Sequence, residues 1–209
     1  MSGSTGPDAF ARALNVSRET LALFAHWQAL LCQWQARINL VSPASLGAFW
    51  TRHALDSAQL AALAPEGAAR FIDLGSGAGF PGLAIALMRR HIPGTSVTLV
   101  EANAKKAAFL RTVIDSTRAP AKVLNARIET VPAKPYDVIT ARALAPLQTL
   151  LPLAARFAGP DTVMLFPKGR NVLKELDAVR ESWMLDHDIL PSLTDAGASI
   201  VKIGKAKRV

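Results

Sequence analysis

The chain has 209 residues, half of them hydrophobic and 19% charged, with a net charge of +8. That length gives one domain with room for an appendage, and the apolar content is enough for a sizeable core. A single cysteine, Cys32, excludes an internal disulfide and a cysteine-based zinc cluster, and no apolar run reaches the roughly 18 residues of a membrane span. The four scattered histidines make no metal spacing. The start lacks the basic-then-apolar pattern of a secretory signal, so the expected location is the cytoplasm. The positive balance favours a polyanionic partner, because lysines and arginines gain from releasing phosphate counterions; a solvated basic surface is the plain alternative.

Residues 1 to about 16 are expected to be frayed or weakly docked. From Arg18 to about Asn39, the apolar residues Phe24, Trp27, Leu31, Trp34 and Ile38 recur at helical spacing and predict one buried stripe, with Cys32 packed in the same element. A short helix is expected near Ser45–Trp50 and another over His53–Leu63, closed by Pro65-Glu66-Gly67. Residues 1–66 therefore read as a helical cap, packed on a core formed by residues 67–209.

Phe71-Ile72-Asp73-Leu74 reads as a strand that breaks into Gly75-Ser76-Gly77-Ala78-Gly79-Phe80-Pro81-Gly82 and leaves through a helix ending near Arg89-Arg90-His91. Strand, glycine turn, helix is the order that brings backbone against a nucleotide-like ligand. Asp73, just before the glycines, suits a ligand carrying positive charge better than a pyrophosphate. The next strand, Val97–Val100, ends in Glu101, where an acid can accept from both ribose hydroxyls. Together they describe S-adenosylmethionine, with Asp73 toward the methionine amine and Glu101 toward the ribose.

Downstream, Lys105 to Val113 mark a helix, Val123-Leu124 a third strand, and Tyr136–Thr140 a fourth strand ending at Ala141-Arg142-Ala143. Pro146–Phe157 reads as a helix that Pro152 should kink or break. Thr162–Phe166 is a buried strand running into Pro167-Lys168-Gly169-Arg170. Asn171 to Trp183 reads as helical, and two further strands fall near Leu185–Leu190 and Ser199–Ile203. Lys202, Lys205, Lys207 and Arg208 form a basic tail. Alternating strands and helices imply an α/β fold with a mainly parallel, doubly wound sheet, which binds ligands beyond its strand tips. Gly75, Glu101, Glu129 and Arg142 all fall at such tips.

These residues resemble the bacterial 16S ribosomal RNA guanine-N7 methyltransferase G family, also called the glucose-inhibited division protein B family. The resemblance runs from about Trp34 to Arg170. It rests on Gln33-Trp34, Asn39-Leu40, Arg52-His53-Ala54-Leu55-Asp56-Ser57, the turn with its Phe80-Pro81-Gly82, Lys105-Lys106 with Phe109-Leu110, Arg127-Ile128-Glu129, Tyr136-Asp137, Ala141-Arg142-Ala143 and Lys168-Gly169. It implies a class I methyltransferase (Rossmann-like) fold, S-adenosyl-L-methionine as methyl donor, and N7 of one guanine in 16S ribosomal RNA, naked or in the small subunit, as acceptor. Carried over, Gly75, Gly77 and Phe80 line the cofactor pocket, Ile128 and Glu129 flank the adenine, and Arg142 sits at the boundary between cofactor and substrate. Glu101 stands where the family pattern has aspartate, and Ala198-Ser199 where it has an arginine.

Arg142 is the leading candidate for positioning the guanine or its phosphate, the rival being a strand-end pair with Asp137 or another acid. Arg52 and His53 either reach RNA or brace the cap through Asp56. Lys168 and Arg170 are candidate RNA contacts. No general base and no metal are expected, and the chain is expected to act as a monomer. Three alternatives are a nucleotide-cofactor oxidoreductase, a small-molecule methyltransferase, and a non-catalytic RNA-binding or ribosome-assembly protein that keeps the methyltransferase fold.

Overall fold

The computed structural model describes residues 6–209. It opens with two helices, α1 (Pro7–Leu14) and α2 (Arg18–Gln35). Ser17 starts α2 by accepting from the Thr20 N–H at 3.2 Å. Phe24, Trp27 and Leu31 are buried along the expected stripe. The helix stops short of Asn39 because the Gln35 side chain turns onto the following loop. Its amide donates to the Val41 carbonyl, and its oxygen accepts from the Leu40 and Val41 N–H groups.

Two expectations for this region are corrected. From Pro7 onward the segment is a docked helix, not a frayed end: Phe10 is buried against Phe24 and Trp50, at ring separations of 4.8 and 5.5 Å. The expectation for residues 1–5 lies outside the described residues. Cys32, expected to pack, is exposed, because it sits one position past buried Leu31 on the outer face of α2.

The rest of the cap is a chain of short pieces where two ordinary helices were expected. They are α3 (Pro43–Leu46), a π-helical segment (Phe49–Leu55), α4 (Asp56–Ala58) and a 3₁₀ turn (Gln59–Ala62). π-helical turns are rare and concentrate at functional sites. This one carries Arg52 and His53.

Next come β1 (Arg70–Leu74), α5 (Gly82–Met88), β2 (Ser96–Val100), α6 (Ala104–Thr117) and β3 (Ala121–Leu124). They are followed by β4 (Val138–Thr140), α7 (Leu147–Ala155), β5 (Val163–Lys168), α8 (Val172–Asp177), β6 (Trp183–Pro191) and β7 (Ser199–Arg208). The strands form one sheet in the order β3-β2-β1-β4-β5-β7-β6. The first five are parallel; β7 runs antiparallel to both β5 and β6. Strand order reverses between β1 and β4, which places a crevice at their carboxyl ends.

Period-two alternation divides the sheet residues between two faces. Phe71, Val97, Leu99 and Leu165 join one apolar cluster with α2, α5 and α6, and the cap residues belong to that same cluster. Ile72, Leu74, Val100 and Phe166 face the other way, onto α7. The cap therefore shares the core's hydrophobic interior.

Three further expectations differ from what is observed. Pro152 does not break α7, which continues to Ala155. Its missing N–H would have met the carbonyl of Gln148, a surface residue whose backbone can be solvated. The helix after Asn171 ends at Asp177, and Trp183 opens β6 instead, its side chain buried and its backbone in register with Arg208. The basic C-terminal residues lie in β7, not in a tail. Lys202 stands opposite Asp188 and Lys205 opposite Asp186, so residues of opposite charge face each other across the hairpin rather than like charges.

Gly82 is the tightest point where α5 meets the sheet. A Cβ there would fall 2.5 Å from both Asp73 Cβ and Leu99 Cδ2. Gly82→Ala is expected to lower stability by about 1–3 kcal/mol through overpacking. The denaturant midpoint reads this directly, and an unchanged midpoint would show that α5 can shift freely.

Candidate active site at the strand tips and the cap

The turn after β1 is shaped by glycines in the left-handed region, at φ +69° for Gly75 and +102° for Gly79. Side chains rarely adopt those angles. A Cβ on Gly75 would lie 2.7 Å from Leu144 Cδ1, so the loop after β4 leans directly over the turn. The Ser76 N–H donates to the Val100 carbonyl at 3.0 Å, tying the turn to the tip of β2.

Glu101 sits at that tip, nearly buried. One carboxylate oxygen accepts from the Gly77 N–H at 2.8 Å and the other from the Asn103 N–H at 2.7 Å. Each oxygen keeps a free lone pair. Ile128 is buried in the 3₁₀ turn Ile128–Thr130 after β3, and Glu129 beside it is exposed. The sheet order brings the tips of β3, β2, β1 and β4 side by side, so Gly75, Gly77, Glu101, Ile128, Glu129 and Arg142 all lie along one rim. This set fits a nucleoside with a charged amino-acid arm: close backbone at the turn, an acid at the second tip and an apolar residue at the third.

Asp73 and Phe80 are not where the spacing put them. Asp73 is fully buried behind the turn. It accepts from the Gly82 N–H at 3.1 Å and from the Thr140 hydroxyl at 2.8 Å. Alternation along β1 points it toward α5, so it braces turn, helix and β4 rather than meeting an amine directly. Burial raises its carboxyl to about 6, against hydrogen bonds from Thr140, Ser76 and Gly82 and the nearby charge of Arg142, which pull the other way. The Phe80 ring faces the cap, not the strand tips. It stacks on Trp27 at 4.4 Å and 23°, and on His53 at 4.8 Å and 22°.

Arg142 closes this stack, with its guanidinium 5.0 Å from the Phe80 ring centre. Nη1 donates to the Arg52 carbonyl at 2.8 Å and to Asp56 Oδ2 at 3.0 Å, and Nη2 lies 3.1 Å from His53 Nδ1. A guanidinium only donates, so Nδ1 accepts and the imidazole proton sits on Nε2. Burial, then the positive charges of Arg142 and Arg52, lower His53 to about 4, with a weaker opposing effect of the Ser45 backbone. Asp56 is the acid Arg142 pairs with; Asp137 is taken instead by Arg70 at 2.7 Å.

Beside this cluster opens a cleft of about 1220 Å³, walled by Arg52, His53 and Asp56 of the cap, the loop Arg142–Pro146, the end of β5 and the β6–β7 loop. Arg52 is exposed on its wall. Arg170 is also exposed, with its side chain against Gly197 of the β6–β7 loop. Lys168, expected to touch RNA, is corrected: its amine is nearly buried, donating to Glu175 Oε2 at 2.8 Å and to the Ala145 carbonyl at 2.9 Å. The same Glu175 oxygen accepts from the Leu147 N–H at the start of α7. Among the described residues no group of three or more His, Cys, Asp or Glu is placed to hold a metal, and no helix is long and apolar enough to cross a membrane.

Sequence reasoning missed Leu144, Glu175, Gln59 and Thr194. Each becomes relevant only through residues distant in the chain, so no local pattern marks them.

A model of the family described as rRNA small subunit methyltransferase G matches residues 20–201. The chain belongs to that family. The ribosomal RNA small subunit methyltransferase G of Parvibaculum lavamentivorans is 49% identical over 198 residues, covering 94% of this chain and 88% of the relative. The protein of that name from Rhodospirillum centenum is 48% identical over 196 residues, covering 94% and 89%. Among solved structures, an O-methyltransferase from Bacillus cereus in complex with SAH superposes with a TM-score of 0.60 at 16% identity, over 95% of this chain and 96% of that one. That likeness places the chain in the Rossmann-like class I methyltransferase fold.

The two shifted groups act oppositely on stability. His53 titrates below its unfolded value of 6.5, so it costs stability as pH falls from about 6.5 toward 4. Asp73 titrates above its unfolded value of 3.8, so stability it withholds above pH 6 returns as pH falls toward 3.8. In the shared window they offset each other, each by at most roughly 1.4 kcal/mol per pH unit. Asp73→Asn is therefore expected to steepen the acid loss of stability, and His53→Gln to flatten or reverse it. Urea unfolding at half-unit pH steps measures both slopes; variants that parallel the wild type would remove these groups as the cause.

Proposed function

We propose that the chain transfers a methyl group from S-adenosylmethionine to N7 of one guanine in 16S ribosomal RNA. Methylation of small-subunit ribosomal RNA follows from family membership, and the carrying observation is the match of the family over residues 20–201. The choice of N7 draws on the motif resemblance, and it agrees with the residues at hand. Guanine N7 already carries a lone pair, so no side chain has to remove a proton before attack; what is required is alignment. Consistent with that, the titratable groups around Arg142 are committed to holding one another in place.

Bound at the strand tips, S-adenosylmethionine supplies an electrophilic methyl group. The residues that would hold it are Gly75 and Gly77 through backbone, Glu101 through its free lone pairs, and Ile128 with Glu129 beside the third tip. Asp73 acts from beneath, keeping the Gly82 end of the turn against β4. Arg142 lines the cleft and keeps two donors, Nε–H and one Nη2–H, for which no partner is found among the described residues. Such a fork suits either a phosphate or the O6 edge of guanine. Exposed Arg52 and Arg170, with the +8 net charge, supply sequence-independent attraction to the phosphate backbone. The reading is completed by a cap of residues 1–66 on a catalytic core of residues 67–209, working as a cytoplasmic monomer.

Three measurements test this. Small-subunit RNA from cells lacking the protein should miss one N7-methylguanine that the purified chain restores, and identical nucleoside profiles would reject the activity. Glu101→Ala should weaken S-adenosylmethionine binding about tenfold or more, whereas Arg142→Ala should cut methyl transfer about a hundredfold with cofactor affinity nearly unchanged. Equal loss of both on Arg142→Ala would move that residue into the cofactor pocket. RNA affinity should fall steeply between 50 and 200 mM salt.

A further inference from the structure

Asp56 stands between the two sides of the cleft and touches both. Its Oδ2 accepts from Arg142 Nη1 at 3.0 Å, and its Oδ1 accepts from the Thr194 hydroxyl at 3.0 Å. Arg142 belongs to the loop after β4, Thr194 to the loop between β6 and β7. A second link runs in parallel: Gln59, one turn along from Asp56, accepts from the Leu193 N–H at 2.9 Å and donates to Ser192 Oγ at 3.2 Å. The β6–β7 loop is thus fastened to the cap by side chains in addition to its own internal bonds, which run from the Ser192 N–H to the Ala198 carbonyl at its base, between the Ser192 and Thr194 hydroxyls, and from the Gly197 N–H to Asp195 at its tip.

The electrostatics of the site make this arrangement specific. A carboxylate in the wall of a cleft that receives RNA opposes its ligand unless its charge is already taken up. Here Oδ2 is taken up by Arg142, and Oδ1 by Thr194 and, at 3.4 Å, by the Gln59 amide, and both Asp56 and Arg142 have only 17% of the side chain exposed. Three of the five guanidinium donors of Arg142 go to Asp56, to His53 and to the Arg52 carbonyl, which fixes the direction of the other two. His53 is neutral and cannot balance the arginine's charge. Asp56 is the only carboxylate that bonds Arg142 among the described residues.

We infer that Asp56 is a positioning residue for methyl transfer: its Oδ2 aims Arg142 at the acceptor base, and its Oδ1 sets the 192–198 loop that forms one wall of the cleft. The inference rests on the reading that Arg142 meets the acceptor. It assigns a consequence to each oxygen. Losing the Oδ2 partnership lowers kcat, because the donors of Arg142 no longer converge where the base sits. Losing the Oδ1 partnership raises KM for the RNA, because one of the loop's two ties to the cap is then gone and binding must hold that wall of the cleft in place.

The test uses the 209-residue chain, S-adenosylmethionine, and small ribosomal subunits purified from cells lacking the protein. Asp56→Asn keeps the shape but removes the charge, and it should lower kcat about tenfold or more with cofactor affinity within about twofold by calorimetry. In an Arg142→Lys background the same change should have no further effect, since its target is already gone. Thr194→Val, which keeps Asp56 itself, should raise KM for subunits severalfold at unchanged kcat. Wild-type kcat for Asp56→Asn, multiplicative effects with Arg142→Lys, a parallel loss of cofactor affinity, or an unmoved KM for Thr194→Val would each overturn the assignment. If Arg142→Lys itself turns over normally, the reading of Arg142 fails first. If Arg142→Lys is impaired and Asp56→Asn is not, only the role of Asp56 fails.

Discussion

The Phe80 ring, held flat between Trp27 and His53, is the contact on which the arrangement of the site depends. One end of the glycine turn is thereby fixed against the cap, and the imidazole that completes the stack is the one that receives Arg142. Each aromatic pair adds about 0.5–1.5 kcal/mol beyond the area it buries. The larger effect is geometric: side chains from three separate parts of the chain, Trp27, His53 and Arg142, converge on one ring. The imidazole serves this purpose because it is neutral. Protonated, it would present an N–H to a guanidinium that also only donates.

The two acids at the first strand tips divide their work by depth. Asp73 lies beneath the turn, with Gly82 and Thr140 as partners, at the cost of a desolvated carboxylate. Glu101 lies at the rim, where backbone N–H groups orient it and lone pairs remain. Both carboxylates hold backbone, but only Glu101 keeps part of its surface at the strand tips. The same division runs through the positive charges. Lys168 and Arg142 are committed to internal partners, while Arg52 and Arg170 stay in solvent, where long-range attraction needs no fixed geometry.

Much of this was legible from residues close in sequence. The α2 stripe, the strand–glycine–helix order and the succession of parallel strands follow from periodicities of 3.6 and 2, which depend only on local backbone geometry. The resemblance carried by the ordered motifs pointed to the family that the comparison then showed. Legibility ended where partners are remote. Helical spacing does not reveal that residues 49–55 take a π-helical pitch. Nor does a run of lysines show whether it is a free tail or one side of a hairpin until the strand opposite it, β6, is in register.

The sequence alone determined the class of fold, the position of the turn and the chemistry available at each strand tip, because these depend on side-chain type and short-range pattern. Only the tertiary structure decided that Phe80 faces the cap, that Asp73 is sealed behind the turn, that Lys168 is held by Glu175, and that Asp56 rather than Asp137 pairs with Arg142. Which way a side chain turns, and which of several acids it meets, is set by the packing of elements far apart in the chain. An ion pair or a ring stack forms only between groups that this packing has already brought within a few ångströms.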